Sequence, residues 1–574
     1  MIQSPLNSLD WLVLLGTIFL IVAWGVWRTR NSHTADAFLA GDRKAQWWAI
    51  GLSIMATQAS AITFLSIPGQ AYTDGFRFVQ AYFGLPLAMI VLCVTAVPIF
   101  SRLKILTAYE YLETRFDIHT RTLAAGIFLI QRGLSTGITI AAPSIVLSTV
   151  LGWNLNITIV FIGIAVMVYT VAGGNKAVSV THKQQMLVIF FGMGAAAYTA
   201  VKLLPDGMGI IHAAELAGHL GKMNALDTHF DLNQRYNLWS GLIGGFFMQL
   251  SYFGTDQSQV ARYISGDTIT ESRMGLIMNG LLKIPMQIGI LSIGVLLFIF
   301  WQFNAPPLFF NRNAEQKVLA GPYAAEYKSL QAEHLKMHGL RVISAKELHN
   351  AESGNTEAIP AIKAKMDAIN VDAKQLKNKA ISLINKTDPG TDPLDNDYVF
   401  LTFVLDYLPH GLLGLLLAVI FCAAMSSTSS ALSALGTATT IDIHKRLARP
   451  QARDSEMLKA GQGYTLLWGI VAMAFAMFAG RQENLIQAVN ILGSLFYGSI
   501  LGIFLCGFYV PYIKGRAVFA AALLAEIVVL LCFKYSPVSF LWYNAIGCLL
   551  VPVFGFGFQL ILNSRKNRNI EAGL

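Results

Sequence analysis

The chain has 574 residues, 54% hydrophobic and only 13% charged, where a soluble domain carries about 25%. Its 42 Lys and Arg outnumber 33 Asp and Glu, for a net charge of +9. A nucleic-acid surface gathers basic residues on one face with stacking aromatics; here they stand in short clusters between long apolar runs, so the composition reads as a polytopic membrane protein in a lipid bilayer with no nucleic-acid partner. Cys93, Cys422, Cys506, Cys532 and Cys548 all fall inside apolar runs, without the spacing of a disulfide framework or a transition-metal site.

A spanning helix needs about 20 mostly apolar residues. Thirteen segments qualify: roughly 9–29, 46–69, 78–100, 122–150, 155–173, 185–204, 237–260, 274–303, 409–443, 461–480, 485–512, 515–533 and 537–563. The first begins after Asp10 without a basic leader or a small-residue cleavage site, so it reads as a retained span. With the amino terminus outside, 22 Lys and Arg fall in short cytoplasmic loops and the tail, and 6 in outer ones. The excess includes Arg28, Arg30, Arg43, Lys44, Lys176, Lys183, Lys566 and Arg568, with Arg481 among the outer six. The carboxyl terminus is then cytoplasmic.

Residues 304–397 break this pattern, with 12 basic and 12 acidic residues in 94. Rich in Ala, Lys, Glu and Leu and bounded by prolines, the stretch predicts a small helical insertion on the outer face. His334 and His338 share a helical face there. No third ligand is spaced to hold a metal, which leaves a solvated pair as the ordinary reading.

Polar groups at membrane depth are costly unless used or paired. The second span places Thr57, Gln58, Ser60 and Thr63 before Pro68-Gly69, and a helix unwound here would free carbonyl oxygens beside a cavity or buried protein. The ninth span carries five consecutive hydroxyls, Ser426 to Ser430. A broken helix facing hydroxyls supplies the oxygen ligands a hard cation such as sodium takes; Ser/Thr packing between helices is the structural alternative.

Here the chain resembles a family. Asp36-Ala-Phe-Leu-Ala-Gly41 with Trp47-Trp48 is similar to the opening signature of the sodium/solute symporters. So are Thr107-Ala-Tyr-Glu-Tyr-Leu-Glu-Thr-Arg-Phe116, Gly173-Gly174, Ser426-Ser427 and Thr439-Thr440-Ile-Asp442. The resemblance covers nearly the whole chain outside 304–397. It implies an all-α, LeuT-like core of two inverted five-helix repeats, with ion and solute near the midplane beside discontinuous helices. Accordingly, 1–45 holds the first span and a loop, 46–204 the first repeat (spans 2–6), and 205–236 an outer loop. Then 237–303 begins the second repeat (spans 7–8), 304–397 is the insertion, 398–512 completes that repeat (spans 9–11), and 513–574 holds the last two spans and the tail.

The resemblance further implies a sodium site at the carbonyls of Ala56, Ala59 and Ala423 with the hydroxyls of Ser426 and Ser427. A second cation site in some relatives uses further serines, matched by Ser429 and Ser430, and an aspartate, where this chain has His182. Imidazole is a poor sodium ligand, so one coupled sodium is expected. Proton coupling through His182, or a loop histidine with no role, are the alternatives.

Two cations lie inside predicted spans, Arg132 and Lys283. A guanidinium at depth fits a carboxylate, which becomes the solute's if no internal acid pairs with it; an interhelical or snorkelling anchor is the alternative. In the sialic acid branch of the family an arginine in this helix reads the substrate carboxylate. Gln58, Ser60 and Thr63 would line the opposite wall, and Phe78, Tyr82 and Tyr252 would add aromatic surface. Lys283 keeps neutral sugars open, as sugar-transporting relatives share it. The expected protein is a monomeric, sodium-coupled symporter of the bacterial inner membrane. It would import a small anionic solute, a sialic acid or similar acidic sugar first and a monocarboxylate second, with Na+ as coupling ion and no cofactor. Carboxylates are almost absent from the spans and no HExxH, GxSxG or P-loop occurs, which opposes an enzyme. A sensor built on this fold would call for an appended domain, and only 11 residues follow 563. The inverted-repeat plan disfavours a channel.

Overall fold

The computed structural model describes residues 6–29, 34–39, 41, 44–205, 207–354, 356–478 and 484–571. Arg30, Arg43 and Arg481, which enter the orientation argument, lie outside them, as do Ala40 of the opening motif and Gly480 at the end of the tenth span; the side chains of Asp36, Lys566 and Arg568 lie outside the description too. Among the described residues the fold is all-helical, with one isolated bridge between Ala45 and Gly266.

Ten helical runs are long and apolar enough to cross a membrane. Two of them are double. Ala61–Leu103 turns back at Gly75, whose φ of 66° suits glycine, and so carries the end of the second span and all of the third. Leu155–Lys202, at 48 residues, folds at Gly174, φ 56°, into the fifth and sixth spans. The seventh span, Ser240–Thr255, falls below the length threshold because it begins in a widened turn and stops at Asp256. These three features reconcile ten apolar runs with thirteen crossings.

The first helix of each expected five-helix block is broken. Trp47–Gln58 and Ala61–Asp74 flank Ala59 and Ser60, while Ser240–Thr255 and Gln257–Tyr263 flank Asp256. The break in the second span falls within the polar cluster Thr57 to Thr63, ahead of Pro68-Gly69, and Pro68 sits inside a continuous helix. Gly69 has a packing reason instead: a Cβ there would stand 2.0 Å from the carbonyl oxygen of Asn396.

The insertion folds as Arg312–Leu319, Ala324–Gly354 and Ile359–Thr387, followed by Asn396–Tyr407. Its base has a small core of its own around Phe309, Val318, Tyr327, Ala380 and Ile384. Farther along, Ala345, Leu348 and Met366 join the main core, so the hairpin lies across the outer ends of the spans. That placement corrects the reading of His334 and His338 as a solvated pair. His338 is 8% exposed and burial lowers its pKa to about 4, while a ring nitrogen of His334 meets the Pro306 carbonyl at 3.1 Å. Among the described residues no group of three or more His, Cys, Asp or Glu is placed to hold a metal.

Candidate ion and solute site

At the first break the backbone bonds change partners. Ser60 N, which would close a turn onto Ala56, bonds Gln58 O at 3.0 Å, and Thr63 N bonds Ser60 O at 2.9 Å instead of reaching Ala59. The carbonyls of Ala56 and Ala59 are thereby turned out of the helix ladder, and a buried carbonyl needs another partner. For Ala56 that partner is Ser426 Oγ, donating at 2.8 Å from the ninth span. Ser427 Oγ donates to Ala423 O at 3.0 Å within its own helix, Leu412–Ala438. The structure therefore joins two of the five expected sodium ligands, Ala56 and Ser426, across the two helices, while Ala423 and Ser427 bond one another one turn apart on the ninth span. All five residues are buried.

Ser430 Oγ stands 3.2 Å from Thr57 Oγ1 and 3.4 Å from His182 Nε2, whose Nδ1 meets Ser53 Oγ at 2.8 Å. Ser429 Oγ turns to Ser426 O at 3.2 Å. His182 is not a loop residue: the sixth span is helical through it, and the ring is fully buried. One turn earlier, Ser179 Oγ accepts a 2.7 Å bond from Arg262, which is 1% exposed.

Between the two broken helices and the eleventh span lies a cavity of about 100 Å³. Gln58, Ser60, Thr63, Tyr82, Arg132 and Tyr252 line it, six of the eight expected solute residues. Phe78 and Lys283 do not. Phe78 is a second layer, edge-on to Tyr82 at 5.9 Å, and Lys283 is buried in the helix Ile269–Phe303 away from the lining.

Arg132 stands 5.6 Å over the Tyr252 ring and donates to Ser258 Oγ, while its Nε has no partner among the described residues. It also has an internal acid: Asp256 Oδ2 lies 3.5 Å from its guanidinium. That pairing bears on the condition attached to Arg132, since an internal acid is present beside it. The pairing is long, however, and Asp256 has closer partners: Tyr497 Oη donates at 2.7 Å, Ser258 N at 2.8 Å and Ser258 Oγ at 2.6 Å. Much of the Asp256 charge is thus held by its own helix cap and Tyr497, which leaves Arg132 incompletely neutralised beside the cavity. Asp256 falls inside the predicted 237–260 span, so an acid facing Arg132 was there to be read. Gln131, Gln249, Asn490 and Tyr497 also line the cavity and carry no motif that marks them.

Asp442 of the Thr-Thr-Ile-Asp motif receives Thr107 Oγ1 at 2.8 Å and pairs with Arg121 at 2.7 Å. Arg121 continues to Glu113 at 2.9 Å, which Arg446 grips from the other side. Two of the family-like motifs therefore meet as one ionic lattice.

A sodium:solute symporter family model matches residues 38–317 and 335–525, and the chain belongs to that family. It is 25% identical to the sodium/sialic acid symporter SiaT of Proteus mirabilis over 95% of this chain and 94% of the relative. It is 24% identical to the sodium/sialic acid symporter NanT of Aliivibrio fischeri over 96% and 92%. A solved substrate-bound, outward-open state of a Na+-coupled sialic acid symporter superposes with a TM-score of 0.74. It is 23% identical, covering 97% of this chain and 98% of that one, and this likeness shows the shared fold.

Proposed function

We propose that the protein is a sodium-coupled symporter that imports a carboxylated, hydroxyl-rich solute, a sialic acid or similar acidic sugar, across the bacterial inner membrane. The amino terminus lies outside, the carboxyl terminus lies in the cytoplasm, and the monomer is the working unit. The observation that carries this reading is Arg132, a cavity-lining guanidinium only loosely paired with Asp256 and with its Nε unpartnered. A solute carboxylate is its best geometric match. The other walls favour a sugar acid over a simple monocarboxylate. Gln58, Gln131 and Gln249 each face the cavity with a buried amide oxygen that has no partner among the described residues. A ligand bearing several hydroxyls would satisfy them, whereas a short apolar acid would leave them unpaired. Both sialic acid relatives point the same way. With Lys283 off the cavity lining, the neutral-sugar alternative loses the residue that suggested it.

Sodium would bind at Ala56, Ala59, Ala423, Ser426 and Ser427 and tie the broken second span to the ninth. It drives transport only through different affinities for the outward and inward states. Each charge moved contributes about 2.3 kcal/mol per 100 mV of membrane potential. The test is uptake of labelled sialic acids, uronates, monocarboxylates and neutral sugars into proteoliposomes, with and without a sodium gradient. Arg132→Ala should abolish uptake of the acidic solute while sodium binding persists. Unchanged uptake by that variant, or accumulation independent of sodium, would overturn the assignment.

A further inference from the structure

Arg262 has no counter-ion among the described residues. It is 1% exposed at the end of the short helix Gln257–Tyr263; it donates to Ser179 Oγ at 2.7 Å and to Ser258 O at 3.3 Å, and one terminal nitrogen, Nη2, has no partner. No carboxylate pairs with it among the described residues. A buried, unpaired guanidinium is among the most costly arrangements in a protein interior and calls for an anion.

The route for one is present. A cytoplasm-side vestibule of about 730 Å³ is lined by Arg28, Lys44, Lys176 and Lys183, with no carboxylate among its described lining residues. Its inner wall includes Ser179 and Ser53, the first bonded to Arg262 and the second to His182. The vestibule therefore ends one hydrogen bond from the guanidinium, and its charge concentrates anions at that wall.

We propose that a small monovalent anion, chloride or a carboxylate, enters this vestibule and binds Arg262 at Ser179, close to the His182 side of the ion site. It supplies from solution the negative charge that no side chain supplies there. The proposal does not depend on which solute is carried, and its test uses neither sodium nor solute.

The full-length protein in detergent would be melted in choline chloride, choline acetate and choline methanesulfonate at equal ionic strength. A saturable rise in melting temperature is expected with chloride, which assigns the inorganic anion, or with acetate alone, which assigns the carboxylate. Arg262→Gln should weaken the anion response about tenfold or more, the worth of one charge-assisted contact. Should that variant not fold, His182→Asp provides a second arm. It sets a carboxylate one turn from Ser179 on the face toward Arg262 and should remove the anion response. Equal melting in all three salts, or a response unchanged in Arg262→Gln or in His182→Asp, would overturn the proposal.

Discussion

The hydroxyl of Ser426 donates to the carbonyl of Ala56 at 2.8 Å, joining two helices 370 residues apart in sequence. The carbonyl is available because the helix breaks three residues later, and the hydroxyl is the first of five in a row. Ser426→Ala removes the donor and leaves a buried carbonyl unpaired, at a cost of about 1–3 kcal/mol. The expected result is a rise of about tenfold or more in the sodium concentration for half-maximal uptake, with solute transport recovering at high sodium. Sodium titration of uptake in proteoliposomes measures it; an unshifted curve would place the ion elsewhere.

One sodium per cycle is the second expectation. The position where some relatives carry an aspartate is His182, bonded to Ser53 and Ser430, with the Arg262 guanidinium bound one turn away at Ser179. A second cation there would meet an imidazole ring held by two hydroxyls, in the place where those relatives have a carboxylate. Uptake should follow sodium with a Hill coefficient near one, and a coefficient near two would sink this reading.

Asp256 competes with the solute for Arg132. Asp256→Asn keeps an oxygen for the Ser258 cap and turns its amide NH2 to the Tyr497 hydroxyl, which then accepts, while the charge 3.5 Å from the guanidinium is removed. The variant should bind the acidic solute severalfold more tightly and release it more slowly, lowering KM and kcat together. Asp256→Ala should instead lose the cap, at about 1 kcal/mol, and transport poorly. Equal KM for wild type and Asp256→Asn would show that the acid does not tune the site.

The lattice of Asp442, Arg121, Glu113 and Arg446 gives a pH dependence. Hydrogen bonds from Arg446 and Arg121 hold the Glu113 carboxyl below its ordinary value of about 4.3. A carboxylate lowered on folding stabilises fully above the unfolded value and loses that contribution as pH falls through the folded one. Glu113→Gln should therefore cost about 1 kcal/mol at pH 7, and the gap to wild type should close as pH drops below about 4. Melting of both proteins in detergent from pH 7 to pH 3 checks this; a gap independent of pH would mean that the ion pairs contribute nothing.

Spans and site were legible to different depths. Apolar runs of about 20 residues give thirteen crossings, because lipid imposes the same length on every helix. The hydroxyl run from Ser426 and the polar cluster around Ser60 marked two segments that the structure brings together at Ser426 and Ala56, since polar groups at depth seldom occur without use. What sequence could not place is register. Phe78 and Tyr82 both read as wall residues, yet only Tyr82 reaches the cavity; they lie four apart in a segment wound with 3₁₀ pitch, where that spacing separates the faces. The break at Ala59 falls in the polar cluster, where the Ser426 hydroxyl of the ninth span takes up the freed Ala56 carbonyl. His182 read as a loop residue because Gly173-Gly174 and the polar Thr181 to Gln185 hid a helix that turns at Gly174 and continues.

The insertion is seated against the broken second span. The helix Asn396–Tyr407 begins against the outer half of the second span, where the Gly69 Cα approaches so closely that an added Cβ would lie 2.0 Å from Asn396 O. Neighbouring contacts hold the same seam: Asp397 accepts from Leu485 N at 3.1 Å, and Asp395 receives Phe310 N at 2.8 Å and Lys377 at 2.7 Å. The obstructing atom is backbone, so no rotamer change relieves the clash. Gly69→Ala must push the insertion outward or tilt the half-helix, at about 1–3 kcal/mol. If this seam closes the outer path, the variant should also favour the outward-open state, since parting the two surfaces removes the clash. The expected signature is a lower melting temperature together with faster labelling of a cysteine placed at Ser60 by an outside thiol reagent. A lower melting temperature without faster labelling would make the seam a structural contact only.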